Sequence, residues 1–478
     1  MGCAVRQPRR RPPWPLALAA GLGLAAASCR MPSVATAPPV TVPKAFTAGG
    51  KVAAPAKWWT AFGDKHLDAL MAQAVAGNLD LRTAWARVAQ AEALARQAGA
   101  ALEPSLTAEA SASRTRTKTD PGGSASQSAF SLGLTASYEV DLWGRVRATR
   151  DAAALAARAS REDVDATAMV LSAQVASAWY QLLDQRGQLG LLDEQIATNE
   201  KYLEVMDLRF RQGRRGEVSA VDLLQQEQLV ESTRAEKHLA EAQRRVLEHL
   251  LAVLLGRSPD SDVADDGGAL PPLPPLPRTG VPASVLQQRP DVRAAELRLA
   301  AASGDVAAAV ADRLPALSLV ARAETTSTRV RDLFDNWLAS LAANLTAPVL
   351  DGGRRAAEVD RTRAVVAERL HAYGQALLDA LKEVEDALAQ EQKQQDYLAS
   401  LTRQLELADK VAVETRERYI KGAEDYLRVL TALRTLQGLQ RARLTAQRQL
   451  IGYRIDLYRA LGGGWGLARP APPAGGGR

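Results

Sequence analysis

The chain has 478 residues, only 5% of them aromatic, and alanine dominates its 47% hydrophobic share, which favours long helices over one broad globular core. Its formal charge of +6 falls to +2 once the leader arginines Arg6, Arg9, Arg10 and Arg11 are discounted, so no nucleic-acid partner is expected.

Residues 1–28 read as a secretion signal: a basic start, an apolar stretch from Trp14 to Ala27 too short for a membrane span, and small residues at its end. No later stretch offers about 18 uninterrupted apolar residues, so any bilayer crossing falls to β-strands. Cys3 leaves with the leader, and Cys29 follows Ala26-Ala27-Ser28 at the expected cut. That position resembles the lipobox of bacterial lipoproteins, with Ala26 where Leu is usual, which makes Cys29 the candidate lipid attachment and 29–57 a lipidated N-terminal segment. Arg30 replaces the Asp that signals inner-membrane retention in such lipoproteins, so delivery to the outer membrane is expected.

A first helix is expected from about Leu67 to Ala101, ended by Pro104. Leu106, Ala108, Ala110 and Ala112 then alternate with polar residues. After the turn signal Asp120-Pro121-Gly122-Gly123 the alternation resumes as Phe130, Leu132, Leu134, Ala136, Tyr138 and Val140, giving a strand pair over about 105–141. Arg145 to Gln212 carries no proline and makes roughly 100 Å of helix. Its Leu182, Leu189, Leu192, Ile196, Leu203, Met206 and Phe210 follow a heptad rhythm that predicts a coiled-coil seam. A return helix runs from Ser219 to Leu255.

Residues 263–282 form a linker containing Pro-Pro-Leu-Pro-Pro-Leu-Pro, which reads as a stiff extended connector. The same order of elements then repeats: a helix from about Ser284 to Arg313, alternation through Leu317 to Ala323 and Trp337 to Val349 (strands about 316–349), a long helix from Arg354 to Lys421, and a return helix from Asp425 to Leu461. Asp141-Leu142-Trp143-Gly144-Arg145 is echoed by Leu350-Asp351-Gly352-Gly353-Arg354. The tip Arg209-Phe210-Arg211-Gln212-Gly213 is echoed by Arg418-Tyr419-Ile420-Lys421-Gly422, with 69 residues from Gly144 to Gly213 and again from Gly353 to Gly422. The organisation expected is a first repeat over 58–262, a second over 283–462 and a flexible tail over 463–478.

Four amphipathic strands cannot close a membrane barrel, whose smallest forms have about eight. Three copies would supply twelve, continued by a barrel of helices. The fold class expected is a mixed α/β membrane protein, trimeric, with a 12-stranded transmembrane β-barrel running into a long α-helical barrel.

The chain resembles the TolC-like outer-membrane efflux proteins, most closely the lipoprotein branch that serves RND-type pumps. The most specific stretch is Arg289-Pro290-Asp291-Val292-Arg293-Ala294-Ala295-Glu296. Val140 to Arg145, Pro348 to Arg354, Glu383 to Leu388 and Arg418 to Gly422 support it, in the right order over about Trp58 to Leu461. The resemblance implies a homotrimer in outer-membrane lipid, a periplasmic adaptor docked on the helical end and an inner-membrane RND-type transporter, with passive conduction and no cofactor. Type I protein secretion, or a non-conducting coiled-coil lipoprotein, are the alternatives.

It also implies site residues. The tips, with Arg209, Gly213, Gly216, Arg418, Tyr419 and Gly422, are the candidate docking points, although glycine there also suits a plain helix cap. The periplasmic aperture of the family is often lined by acids on the return helices. Here that region offers Asp222, Glu424 and Asp425, but Arg428 occupies the position matching Asp222 and Thr431 stands where a second Asp is frequent. Asp222 and Arg428 could alternate as paired charges around the mouth, or simply face water. No catalytic constellation is expected: His66, His238, His249 and His371 are scattered, and no phosphate loop, dinucleotide fingerprint or nucleophile elbow occurs.

Overall fold

The computed structural model describes residues 40–119, 122–212, 218–260, 268–462 and 467. The signal segment, Cys29, the tip glycines Gly213 and Gly216, and all of the tail except Leu467 lie outside the described residues. Of the described residues, one compact unit contains those of 104–148 and 303–366, and the other those of 40–103, 149–302 and 367–462.

In chain order the elements are α1 (Lys65–Gly77), α2 (Leu79–Ala100), β1 (Ser105–Thr119), β2 (Gly123–Val140), α3 (Arg145–Arg211), α4 (Ala220–Leu254), α5 (Pro282–Gln288), α6 (Pro290–Ala311), β3 (Ala316–Ser327), β4 (Trp337–Thr346), α7 (Arg354–Ile420) and α8 (Tyr426–Ala460). The two long helices have 67 residues each and the two return helices 35 each.

The strands form one antiparallel sheet in the order β1-β2-β3-β4. Its register joins Leu106, Ala136, Ala321 and Leu341 in one row and Ala108, Leu134, Ala323 and Ala339 in the next. Because side chains alternate with period two, every apolar position of the pattern lands on the same face. The opposite face carries Ser111, Ser131, Thr135, Ser318 and the ion pair Arg322–Glu324 at 2.5 Å. Among the described residues no helix is long and apolar enough to cross a membrane.

The repeated Asp-Gly-Arg motifs are helix starts. Asp141 accepts from the N–H groups of Val146 and Arg147 at 3.1 and 3.0 Å, and Asp351 accepts from those of Gly353 and Arg355 at 3.1 and 3.2 Å. A carboxylate at a helix N-terminus satisfies free donors and complements the dipole.

The first helix of each half is not continuous, contrary to the sequence expectation. Asn78 leaves the helical conformation (φ −59, ψ 129), and its side chain accepts from Leu81 N–H to start α2 while donating to the carbonyl of Leu254, the last residue of α4, at 3.0 Å. A Cβ on Gly77 would stand 2.3 Å from the Leu255 carbonyl oxygen, so only glycine permits this approach. In the second half Pro290 breaks the helix. Arg289 donates to the carbonyl of Ala460, the last residue of α8, at 3.1 Å and is held by Asp291 and Glu383 at 2.7 and 2.8 Å. Each break therefore caps the end of its own return helix.

The core of the helical unit is aromatic where the chain enters it. Trp58 stacks on Tyr458 with ring centroids 5.6 Å apart and donates to Ser172, and Phe62 meets Tyr180 at 5.3 Å. Arg454, 1% exposed, forks onto Glu391 at 2.7 and 2.5 Å and donates to the carbonyls of Pro274 and Pro275. The proline connector is thus clamped by a buried ion pair.

The coiled-coil seam differs from its prediction in which residues it buries. Gln188, Leu192, Gln195, Asn199 and Met206 are buried on α3, at steps of four, three, four and seven, while Leu189, Ile196, Leu203 and Phe210 are only half-buried. Leu182, Leu192 and Met206 of the predicted rhythm are buried, and amides take the other buried positions of the seam. Gln188 donates to the Arg441 carbonyl and Thr445 of α8, and Gln195 to Gln440. Their alternation at heptad spacing was the signal available in the sequence.

Candidate functional site at the helix turns

The long helix α7 ends because Gly422 adopts a left-handed conformation, φ +73. Ala423 N–H reaches the Arg418 carbonyl at 2.9 Å and Gly422 N–H the Tyr419 carbonyl at 3.0 Å. These bonds make a Schellman motif, which satisfies carbonyls that a helix end leaves open. Asp425 then caps α8 by accepting from Arg428 N–H at 3.2 Å. In the first half Ser219 and Asp222 form a capping box at the start of α4.

Within the protomer Asp222 and Arg428 take separate partners. The Asp222 carboxylate accepts from Ser219 N–H at 2.9 Å and from its hydroxyl at 2.8 Å. Arg428 pairs with Glu424 at 2.9 Å, and Arg418 stands 4.0 Å from the same carboxylate while bonding Glu414 at 2.9 Å. Thr431 returns its hydroxyl to the Leu427 carbonyl at 2.8 Å. Arg428, Thr431 and Asp425 are exposed.

A small core joins the two turns. Met206, Val218 and Leu229 pack with Tyr426, Val429, Leu430 and Leu433, and Phe210 and Tyr419 lie against them. Tyr419 meets Tyr426 at 5.6 Å edge to face, and the Arg209 guanidinium lies 6.0 Å from the Tyr419 ring. Beside them is a 330 Å³ cavity whose lining includes Tyr202, Val205, Arg209, Tyr419, Ile420 and Tyr426. Of the sequence-predicted tip residues, Arg209 and Tyr419 are brought together here, while Arg418 turns to Glu414 and Glu424 and Gly422 ends the helix.

Sequence reading missed the polar group directly above it. Tyr426 donates its hydroxyl to Gln226, whose amide donates to the Asn199 carbonyl at 2.7 Å. Gln437 donates to the Asn199 side chain at 2.9 Å, and Asn199 donates to Thr233 at 3.3 Å. Burial pushes the Tyr426 phenol well above its usual range, so it stays a donor. This network fastens α3, α4 and α8 together within about four turns of the helix ends.

A family profile described as outer membrane efflux protein matches residues 70–257 and 281–463. The chain belongs to the outer membrane efflux protein family. It is 36% identical over 431 residues to the pyoverdine export outer membrane protein OpmQ of Pseudomonas aeruginosa, covering 86% of this chain and 89% of that one. To the toluene efflux pump outer membrane protein TtgI of Pseudomonas putida it is 32% identical, covering 85% and 87%. The solved outer-membrane channel OprN superposes with a TM-score of 0.81 at 28% identity, over 91% of this chain and all of OprN. As in other family members, the sheet lies in the outer membrane and the long helices reach into the periplasm.

Proposed function

We propose that this protein is the outer-membrane channel of a tripartite efflux system, passively conducting solutes that an inner-membrane RND-type transporter delivers through a periplasmic adaptor. The observation that carries this reading is the two-faced four-stranded sheet. One face is apolar from Val140 to Phe130, eleven residues or about 25 Å of height at the usual strand tilt. The other face is polar and suits a water-filled lumen.

Both edges, β1 and β4, are open in the protomer, and open edges are not tolerated in lipid. Closure by three copies gives twelve strands. The helices supply matching seams: α8 contacts α3, α4 and α7, while α4 leaves Leu239, Val246, Leu250 and Val253 exposed at heptad steps and α7 leaves Leu407 and Val411 exposed. Helix α4 of one copy against α7 of the next covers both.

The turns around Gly422 and around Gly213 and Gly216 form the periplasmic end, where the adaptor docks on Arg209, Arg418 and Tyr419. Asp222, Glu424, Asp425, Arg428 and Thr431 border the aperture there. Lipid on Cys29 tethers the mature N-terminus to the membrane. The chain supplies no catalysis. An RND partner is favoured over a type I secretion system by the lipobox and the Arg289-Pro290-Asp291 stretch. The relatives' names span pyoverdine and toluene, so membership of the family does not by itself fix the cargo. Native mass spectrometry of protein extracted from outer membranes tests the assembly: a trimer carrying a diacylglyceryl and acyl mass is expected, and an unlipidated monomer would refute it.

A further inference from the structure

The membrane-facing side of the sheet does not stop at the apolar band. Along β1 the alternation Leu106, Ala108, Ala110, Ala112 continues on the same face as Arg114, Arg116 and Lys118. Opposite them stand Ser128, Ser126 and Ser124 of β2. Strand β3 ends with Ser327, which pairs with Phe130. The cations therefore ride on a two-stranded ribbon that projects past the four-stranded sheet. All three are exposed, and among the described residues none pairs with a carboxylate. Between Glu109 and Glu139 the sequence holds a single acid, Asp120.

Phe130 and Trp337 mark where the apolar band gives way, as aromatic residues do at a membrane–water boundary. Arg114, Arg116 and Lys118 follow at intervals of about 7 Å along the strand, at headgroup level and just beyond. The opposite strand ends lead into the periplasmic helices, so this stripe belongs to the outer leaflet.

We propose that Arg114, Arg116 and Lys118 bind phosphate groups on the headgroups of outer-leaflet lipids whose acyl chains pack on the apolar face below. An amphiphile with apolar chains and an anionic phosphorylated head matches the surface in both parts. A soluble acidic macromolecule would match only the cations. Guanidinium groups favour phosphate through charge-assisted, forked hydrogen bonds. The serines opposite add hydroxyl donors on the same face.

This inference rests on the sheet being a barrel wall in lipid, and its test separates the two. The purified trimer in neutral detergent is titrated with diphosphorylated lipid A, with the same lipid dephosphorylated, and with inorganic phosphate, and retained lipid is counted by native mass spectrometry. The wild type is expected to retain the diphosphorylated lipid on the order of a hundredfold more tightly than the dephosphorylated one. R114Q/R116Q/K118Q is expected to lose this preference by on the order of a hundredfold if each cation contributes as charges near an anionic surface usually do, while R114K/R116K keeps most of it. Equal retention of the two lipids by the wild type, or an unchanged preference in the glutamine variant, overturns the proposal. So does full competition by millimolar inorganic phosphate, which would mark a plain anion site. If the glutamine variant fails to assemble, the wild-type comparison of the two lipids still decides. Channel conductance of the wild type and the glutamine variant is measured alongside: intact conductance without lipid preference overturns this inference alone, and absent conductance in both overturns the barrel.

Discussion

Gln437 donates its side-chain amide to the side-chain oxygen of Asn199 at 2.9 Å, across the seam between α8 and α3. Both residues are buried. An amide pair of this kind is satisfied in only one register, whereas leucines would tolerate sliding by a turn, so the pair fixes how the return helix sits against the long one. Asn199→Leu leaves the buried Gln437 amide without its partner and should destabilise the protein by about 1–3 kcal/mol. Asn199→Leu/Gln437→Leu should recover most of that loss. Denaturant unfolding of the detergent-solubilised protein measures both; a single variant as stable as the wild type would contradict the assignment.

The clamp on the proline connector predicts a larger effect. Arg454 and Glu391 have side chains only 1% and 4% exposed. Arg454→Met strands a buried carboxylate and should cost about 3–5 kcal/mol, because removing one partner of a buried pair leaves the other charge uncompensated. Arg454→Met/Glu391→Leu should be less damaging than the single change. Limited proteolysis at the connector reports the release directly: cutting near Pro274 and Pro275 should accelerate in Arg454→Met and stay slow in the wild type.

Stability at acid pH follows from the Arg289 cluster. Burial pushes the Asp291 carboxyl up, but its hydrogen bond and charge pairing with Arg289, together with the Val292 N–H, outweigh that and hold it below the ordinary value of 3.8. A carboxyl depressed in the folded state contributes stability above its unfolded pKa and loses it as pH falls through the folded value. This contribution is therefore present above about pH 4 and fades below it. Asp291→Asn should lower Tm at pH 7 and flatten the dependence of Tm on pH between about 5 and 2. An acid limb identical to the wild type would show that the pair does not contribute.

The elements governed by local rules were legible in the sequence. Period-two alternation located the strands, and the register places Leu106, Ala136, Ala321 and Leu341 on one face as the pattern requires. The glycine at 422 ended its helix as expected. Relations between distant segments were not legible. Nothing near Asn78 announces that its amide will cap a helix ending 176 residues later. Heptad reasoning assumes an apolar interface, which holds at Leu182, Leu192 and Met206 but not at the positions between them. Here Gln188, Gln195 and Asn199 can be buried because backbone carbonyls and other amides meet them. At the turns, the positions of Asp222 and Arg428 allow either a pair of charges or two that face water, and in the protomer the nearer Ser219 and Glu424 engage them.

Those local partners set a prediction for the turns. Asp222→Ala removes half of a capping box and should weaken the start of α4 by roughly 1 kcal/mol. Arg428 is exposed and pairs with Glu424 on its own turn, so Arg428→Ala should change thermal stability by less than about 0.5 kcal/mol. Calorimetry of the two variants should rank them in that order, and the reverse order would contradict these roles.

The central claim is that three sheets close a water-filled cylinder in lipid, and single-channel recording in a planar bilayer tests it most directly. The purified, mature full-length protein should insert and give discrete, ohmic conductance steps, while Leu134→Arg, which puts a charge on the lipid face, should insert far less often than Thr135→Arg, its neighbour on the lumen face. A wild-type protein that leaves the bilayer resistance unchanged, or equal insertion of the two arginine variants, would contradict it.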